Sequence, residues 1–121
     1  MTTARQQQSL GAYGERVAAR YLTRQGMVLL DQNWRCRAGE IDLVLRDGDV
    51  VVVVEVKTRR GLGFGHPLAA VGYTKFERLR QLAALWVDAR GLVRVPVRID
   101  LVGVLQPRQG PPQVEHVAGI C

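Results

Sequence analysis

A single α/β domain, with a mixed sheet covered by helices on its faces, is the fold class this sequence predicts. Three observations carry the expectation. Two stretches of helical spacing bracket a series of β-rich runs. Two of those runs are joined through Asp47-Gly48-Asp49, a strong hairpin signature. A chain of 121 residues, 47% of them hydrophobic, suffices for one modest core. The length suits one domain over 1–121, with an ordered core from about residue 9 to about 105 and a tail over 106–121.

The elements follow in order. From Ser9 to Gln25, apolar residues fall at Leu10, Val17, Ala18, Tyr21 and Leu22, a helical stripe. Ser9 serves as its N-cap and Gly26 as its stop. Met27–Leu30 reads as a short strand before the polar Asp31-Gln32-Asn33. The hairpin comes next, with arms Glu40–Leu45 and Val50–Lys57. Thr58–Pro67 holds Arg59, Arg60, three glycines and Pro67, and reads as a loop. Helical spacing returns from Thr74 to Arg90, with Gly91 as C-cap. Val95–Leu105 is a strand, with Pro96 at its start or at a sheet edge. Val114–Ile120 is a further strand.

Composition narrows the class. An apolar fraction near one half excludes wholesale disorder. Two cysteines, Cys36 and Cys121, make no disulfide framework, so free thiols in a reducing cytoplasm are expected. The apolar run Val50–Val54 is far below the roughly 20 residues a membrane span needs. The polar start, Met1–Ser9, lacks the apolar region of an export signal. Seventeen Lys+Arg against eleven Asp+Glu leave a formal charge of +6. That balance suits an anionic partner such as nucleic acid, and equally an ordinary basic surface.

The hairpin concentrates the chemistry. Side chains alternate faces along a strand. Ile41, Leu43 and Leu45 make one face of the first arm, and Val50, Val52, Val54 and Val56 one face of the second. A two-residue turn at either Asp47-Gly48 or Gly48-Asp49 gives opposed residues whose numbers sum to an odd value. Glu40, Asp42, Glu55 and Lys57 then share the other side, unless a bulge intervenes. Asp42 and Glu55 would repel each other if both were ionised. A hard cation such as Mg²⁺, held by one or two carboxylates plus substrate phosphates, removes that repulsion. Lys57 is placed to act on an attacking water or on the charge of a phosphorus transition state. Only two of the seventeen basic residues are lysines, Lys57 and Lys75. A compact ammonium differs from a planar guanidinium in what it can do. The competing account is a solvated face whose Glu–Lys pairs contribute little. Against it, a strand with Val51 and Val53 among its charges looks buried on both faces.

Asp42 followed by Glu55-Val56-Lys57 resembles the bipartite signature of restriction-endonuclease-like nucleases. More closely, the chain resembles the YraN-like family of small bacterial predicted endonucleases, related to archaeal Holliday-junction resolvases. The shared pieces are Gly14-Glu15, Ala18, Tyr21-Leu22, Asn33-Trp34-Arg35, Gly39 to Val44, Val53 to Arg59, Phe64-Gly65, Pro67, Lys75 and Arg98-Ile99-Asp100. The resemblance as a whole runs from about Gly11 to Val104. The resemblance implies an α-β-β-β-α-β core and Mg²⁺- or Mn²⁺-dependent cleavage of DNA phosphodiesters. It assigns Asp42, Glu55 and the Val56 carbonyl to the metal, and Lys57 to the catalytic lysine position. Glu15 takes the place of the helical glutamate of resolvase-like members. From the residues alone, Glu15 reads equally as a first-turn acid favoured by the helix dipole. The sequence departs from the family in having Ile41 before Asp42, Val54 where an aromatic is common, and Met27 after Gly26. Resolvase relatives act as dimers, because a four-way junction has two equivalent strands to cut; exposed parts of Val93–Val104 are the candidate face for a homodimer.

Arg35, Arg37, Arg59 and Arg60 flank the hairpin and are the phosphate-contact candidates. Lys75 opens the second helix, where an ammonium opposes the dipole and asks for a reason such as a phosphate. Arg98 and Asp100 share a strand face and suit each other as partners. Trp34 and Trp86 read as core. His66, in Gly-His-Pro, reads as incidental, and neither cysteine has a partner at zinc spacing. Beside the nuclease stand two other readings: a non-catalytic nucleic-acid-binding module on the same fold, and an interaction protein whose charged face docks a basic or metal-bridged partner.

Overall fold

The computed structural model describes residues 3–61 and 72–120. The elements are α1 (Ala4–Arg24), β1 (Val28–Cys36), β2 (Gly39–Asp47), β3 (Val50–Arg60), α2 (Tyr73–Ala89), β4 (Val97–Gln106) and β5 (Gln113–Val117). They form one five-stranded sheet in sequence order, β1-β2-β3-β4-β5. Three neighbouring pairs are antiparallel, and β3 and β4 are parallel, with α2 in the connection between them. The expected mixed sheet between helices is what forms.

Each face of the sheet builds its own core. Leu43, Leu45, Val52, Val54, Val102 and Val104 pack with Ala18 and Leu22 of α1. Ile41, Val44, Val51 and Val53 pack with Leu82, Ala83 and Trp86 of α2. Val51 to Val54 are all buried, because β3 lies between β2 and β4 and under both helices. The unbroken valine run therefore reports a central strand covered on both sides. The Trp86 indole N–H donates to Asp31 at 3.0 Å, and the Arg90 guanidinium stacks over its ring. Trp34 is partly buried against the same cluster, so both tryptophans are core residues.

Several boundaries differ from expectation. Helix α1 begins at Ala4, because Thr3 and not Ser9 is its N-cap. The Thr3 hydroxyl accepts the Gln6 N–H, and the Gln6 side chain accepts the Thr3 N–H, a reciprocal capping box. At the other end the stops are as expected: Gly26 and Gly91 lie just past the two helix ends. The N–H of Met27 bonds to the Leu22 carbonyl and that of Leu92 to the Val87 carbonyl, the Schellman pattern. Strand β1 runs on through Asp31-Gln32-Asn33 to Cys36, past the polar stretch that suggested an end. It tolerates these residues because it is an edge strand, with a register shift between Leu29 and Asp31. Strand β4 begins just after Pro96 and is paired on both sides, so Pro96 marks a strand start and not an edge. Strand β5 is the further strand expected over Val114–Ile120, beginning at Gln113 and ending at Val117.

The hairpin closes through Gly48-Asp49. Asp47 pairs with Val50, and the register runs to Leu43↔Val54. Gly48 has φ +60°, as the first position of a primed hairpin turn requires. The odd-sum register is therefore the real one. One part of the face assignment needs correction: Ile41 packs with Val44 under α2, while Leu43 and Leu45 pack under α1. The alternation slips by one between Ile41 and Leu43, with Asp42 at the slip.

Candidate active site

The slip opens the sheet where chemistry was expected. Beyond Leu43↔Val54, the N–H of Val56 is taken by the side chain of Asp42, whose Oδ2 accepts it at 2.8 Å. An open cleft of about 1170 Å³ lies at this end. Glu40, Asp42, Glu55 and Lys57 all line it, although the alternation that predicts a shared face slips at Asp42. So do Glu15 from α1, Arg35 and Arg37 from the β1–β2 turn region, Val56, Arg59 and Arg60 from β3, and Lys75 from α2. Every residue proposed for catalysis, metal or phosphate contact thus lines one cavity. His66 lies outside the described residues, as does Cys121. Cys36 is a free thiol on the cleft wall.

Glu55 sits deepest, 5% exposed in β3. Its Oε1 receives two ammonium groups, Lys75 at 3.1 Å and Lys57 at 3.4 Å. Lys75 lies in the first turn of α2, against the dipole, and the buried carboxylate of Glu55 is what offsets that cost. The reason anticipated as a phosphate is therefore, in this structure, an acid of the protein itself.

Among the described residues, Asp42 has no such cation. Burial, and then the nearby charge of Glu55, push its pKa up to about 7, with Glu15 and Glu40 adding to the rise and the Val56 N–H opposing it. Glu15 is also raised, first by burial, then by Glu40 and Glu55. The dipole account of Glu15 fails on position. The helix starts at Ala4, so Glu15 lies roughly three turns inside it, where the N-terminal field has faded. What brings it to the cleft is Gly14. A Cβ there would lie 1.8 Å from Thr58 Oγ1, so only glycine lets α1 approach β3 this closely. Thr58 Oγ1 is buried at this seam without a hydrogen-bond partner among the described residues.

The donor chemistry fits a hard divalent cation. Asp42 and Glu55 line one cavity, and Asp42 is driven toward its protonated form by burial and by the charge of Glu55. Among the described residues, no three His, Cys, Asp or Glu side chains close around a single point. Arg35 pairs with Glu40 at 2.8 Å and is largely exposed, at the rim of the cleft.

Other motif residues are structural. Arg98 and Asp100 pair as expected, through two hydrogen bonds of 2.9 and 3.1 Å. Asp100, fully buried, also takes the Gly119 N–H and contacts His116 at 2.7 Å, which ties β4 to β5 and the following segment. Burial would raise its pKa, but these bonds outweigh it and hold the carboxyl below its ordinary value. Sequence reasoning assigned no role to Asn33. Its amide, turned to satisfy its neighbours, donates to both oxygens of Glu15 at 2.8 and 3.3 Å. The available signal was an asparagine inside a strand, a residue type depleted there. Arg78, a second α2 cation on the cleft wall, had no signal beyond its helical position.

Among the described residues, no helix is long and apolar enough to cross a membrane. Comparison with known proteins adds an identity at family level. A protein of Nocardioides sp. is 62% identical over 113 residues, covering 93% of this chain and 91% of its own. One from Streptomyces griseus is 58% identical, covering 93% and 95%. One from Kineococcus radiotolerans is 53% identical over 121 residues, covering 99% of each. All three carry the name UPF0102 protein. Residues 14–104, nearly the same stretch as the motif resemblance, match the Uncharacterised protein family UPF0102. The chain belongs to the UPF0102 family.

Proposed function

We propose that this protein is a Mg²⁺- or Mn²⁺-dependent endonuclease that hydrolyses DNA phosphodiester bonds, with branched DNA as its substrate class. One observation carries the reading: Asp42, a carboxylate whose pKa is raised by burial and by the charge of Glu55, shares with Glu55 a cleft rimmed by arginines. Asp42 and Glu55 would hold the cation, and the Val56 carbonyl is the backbone group beside them. The bound ion would supply Lewis-acid activation of water and charge neutralisation at the phosphate. Lys57 donates a hydrogen bond to the attacking water or to the phosphoryl oxygens as charge builds there. Arg35, Arg37, Arg59 and Arg60 bind the DNA backbone, and Lys75 holds Glu55 in place until substrate arrives. Cutting both strands of a junction calls for a homodimer, and a DNA substrate together with the reduced Cys36 supports a cytoplasmic protein.

The test compares wild type with Asp42→Ala and Lys57→Ala on branched and linear DNA, with Mg²⁺ or Mn²⁺. Cleavage by wild type alone is expected. Equal cleavage by all three removes the assignment. Salt-sensitive binding that survives Asp42→Ala, with no cleavage by any protein, assigns the chain instead as a nucleic-acid-binding module.

A further inference from the structure

Asn33 has a left-handed backbone, φ +51°, inside strand β1. Such a conformation is uncommon for a residue with a side chain and persists only where the surroundings impose it. The β1–β2 register passes from Gln32↔Leu43 to Trp34↔Ile41. Asn33 therefore occupies the position opposite Asp42, at the point where the alternation of β2 slips. From there its amide donates to both oxygens of Glu15 on α1. One residue thus connects the edge strand, the helix and the hairpin acid.

We propose that Asn33 is a positioning residue, which holds the Glu15 carboxylate toward the Asp42–Glu55 pair through two amide hydrogen bonds. The proposal rests on the metal-dependent reading for its purpose, and on geometry for its substance. Glu40 and Glu55 both repel Glu15. An unrestrained glutamate at the mouth of an open cleft would turn to water. A lysine or arginine could hold it, but would neutralise it and weaken its pull on a cation. An amide supplies the donors without the charge, as groups behind metal ligands commonly do. Asn33 is itself exposed, so these bonds orient Glu15 more than they stabilise the fold. The left-handed backbone is what aims the amide across the strand edge.

The test uses Asn33→Gly, which accepts the same backbone conformation but lacks the amide, together with Glu15→Ala and the double variant. Mn²⁺ affinity is measured by calorimetric titration, and melting is followed in EDTA. Asn33→Gly is expected to melt within about 2 °C of wild type, and to bind Mn²⁺ about tenfold more weakly. The double variant should bind no more weakly than Glu15→Ala alone, because Asn33 acts through Glu15. Wild-type affinity in Asn33→Gly, or additive losses in the double variant, overturns the proposal. A separate measurement needs no metal: the Asn33 side-chain NH₂ resonances of the metal-free protein should move in Glu15→Ala. If wild type binds no Mn²⁺, the nuclease reading falls, and those resonances alone decide the pairing. Unmoved resonances overturn it.

Discussion

Asp42→Asn should make this protein more stable while removing its response to divalent metal. Asparagine keeps the size of the side chain and can still accept the Val56 N–H, but carries no charge. In the wild type, Asp42 titrates near 7 instead of at its ordinary 3.8. The native state thus keeps a proton that the unfolded chain has already lost between those values. The resulting penalty is absent below the lower value, grows as pH rises, and is complete above the higher one. Three pKa units correspond to about 4 kcal/mol if water were excluded. The cleft is open, so screening brings the expected penalty to about 1–2 kcal/mol. For a domain of this size that is a melting shift of roughly 4–8 °C. The assay is thermal unfolding in EDTA from pH 4 to 8.5. The two proteins should melt together at pH 4, and the variant should melt higher by that amount at pH 8. With saturating Mn²⁺, wild type should gain stability by ligand linkage, about 2.7 kcal/mol at a hundred times Kd, and the variant should not. Parallel melting curves at every pH would refute the reasoning, because no charge penalty would then reside at Asp42.

Three other outcomes follow from the geometry. Gly14→Ala forces a methyl group onto Thr58 and should destabilise by about 1–3 kcal/mol in denaturant unfolding; adding Thr58→Ala should recover only part, since Thr58 Cβ itself would remain 2.8 Å away. Asp100→Ala strips Arg98 of its buried partner and should cost about 3 kcal/mol, the lower end for a broken buried pair because Arg98 is 27% exposed. Asp100's carboxyl is held low, so its contribution is complete above the ordinary carboxylate range and is lost as pH falls through its folded value, which sets the sign opposite to that of Asp42. Neutralising Arg35, Arg37, Arg59 and Arg60 together should reduce the slope of log affinity for DNA against log salt by up to about 4, measured by fluorescence anisotropy; an unchanged slope would place the backbone elsewhere.

Much of this architecture is local and therefore readable from the chain. The hairpin follows from Asp47-Gly48-Asp49 between β-rich arms, and its parity from the length of the turn. The valine run announces a doubly covered strand, and Gly26 and Gly91 mark two helix ends. That register brings Asp42, Glu55 and Lys57 to one end of the hairpin, and the bond from the Val56 N–H to Asp42 settles the rest. The start of α1 is not legible in the chain, because Thr3 and Gln6 form a cap in a segment with no apolar stripe to betray it. Strand β1 was cut short because pairing with β2 overrides the poor strand propensity of Asp31-Gln32-Asn33.

Sequence by itself determined the mixed α/β class, the hairpin register and the chemical types gathered at its open end, since each depends on neighbours within a few residues. Tertiary structure alone decided which side of the sheet Ile41 packs on, why Lys75 stands in a first turn, and how Glu15 reaches the acids. Those depend on how closely a helix can approach a strand at Gly14 and Thr58, and on which charges share a cavity. Distances between segments far apart in the chain have no periodicity to read.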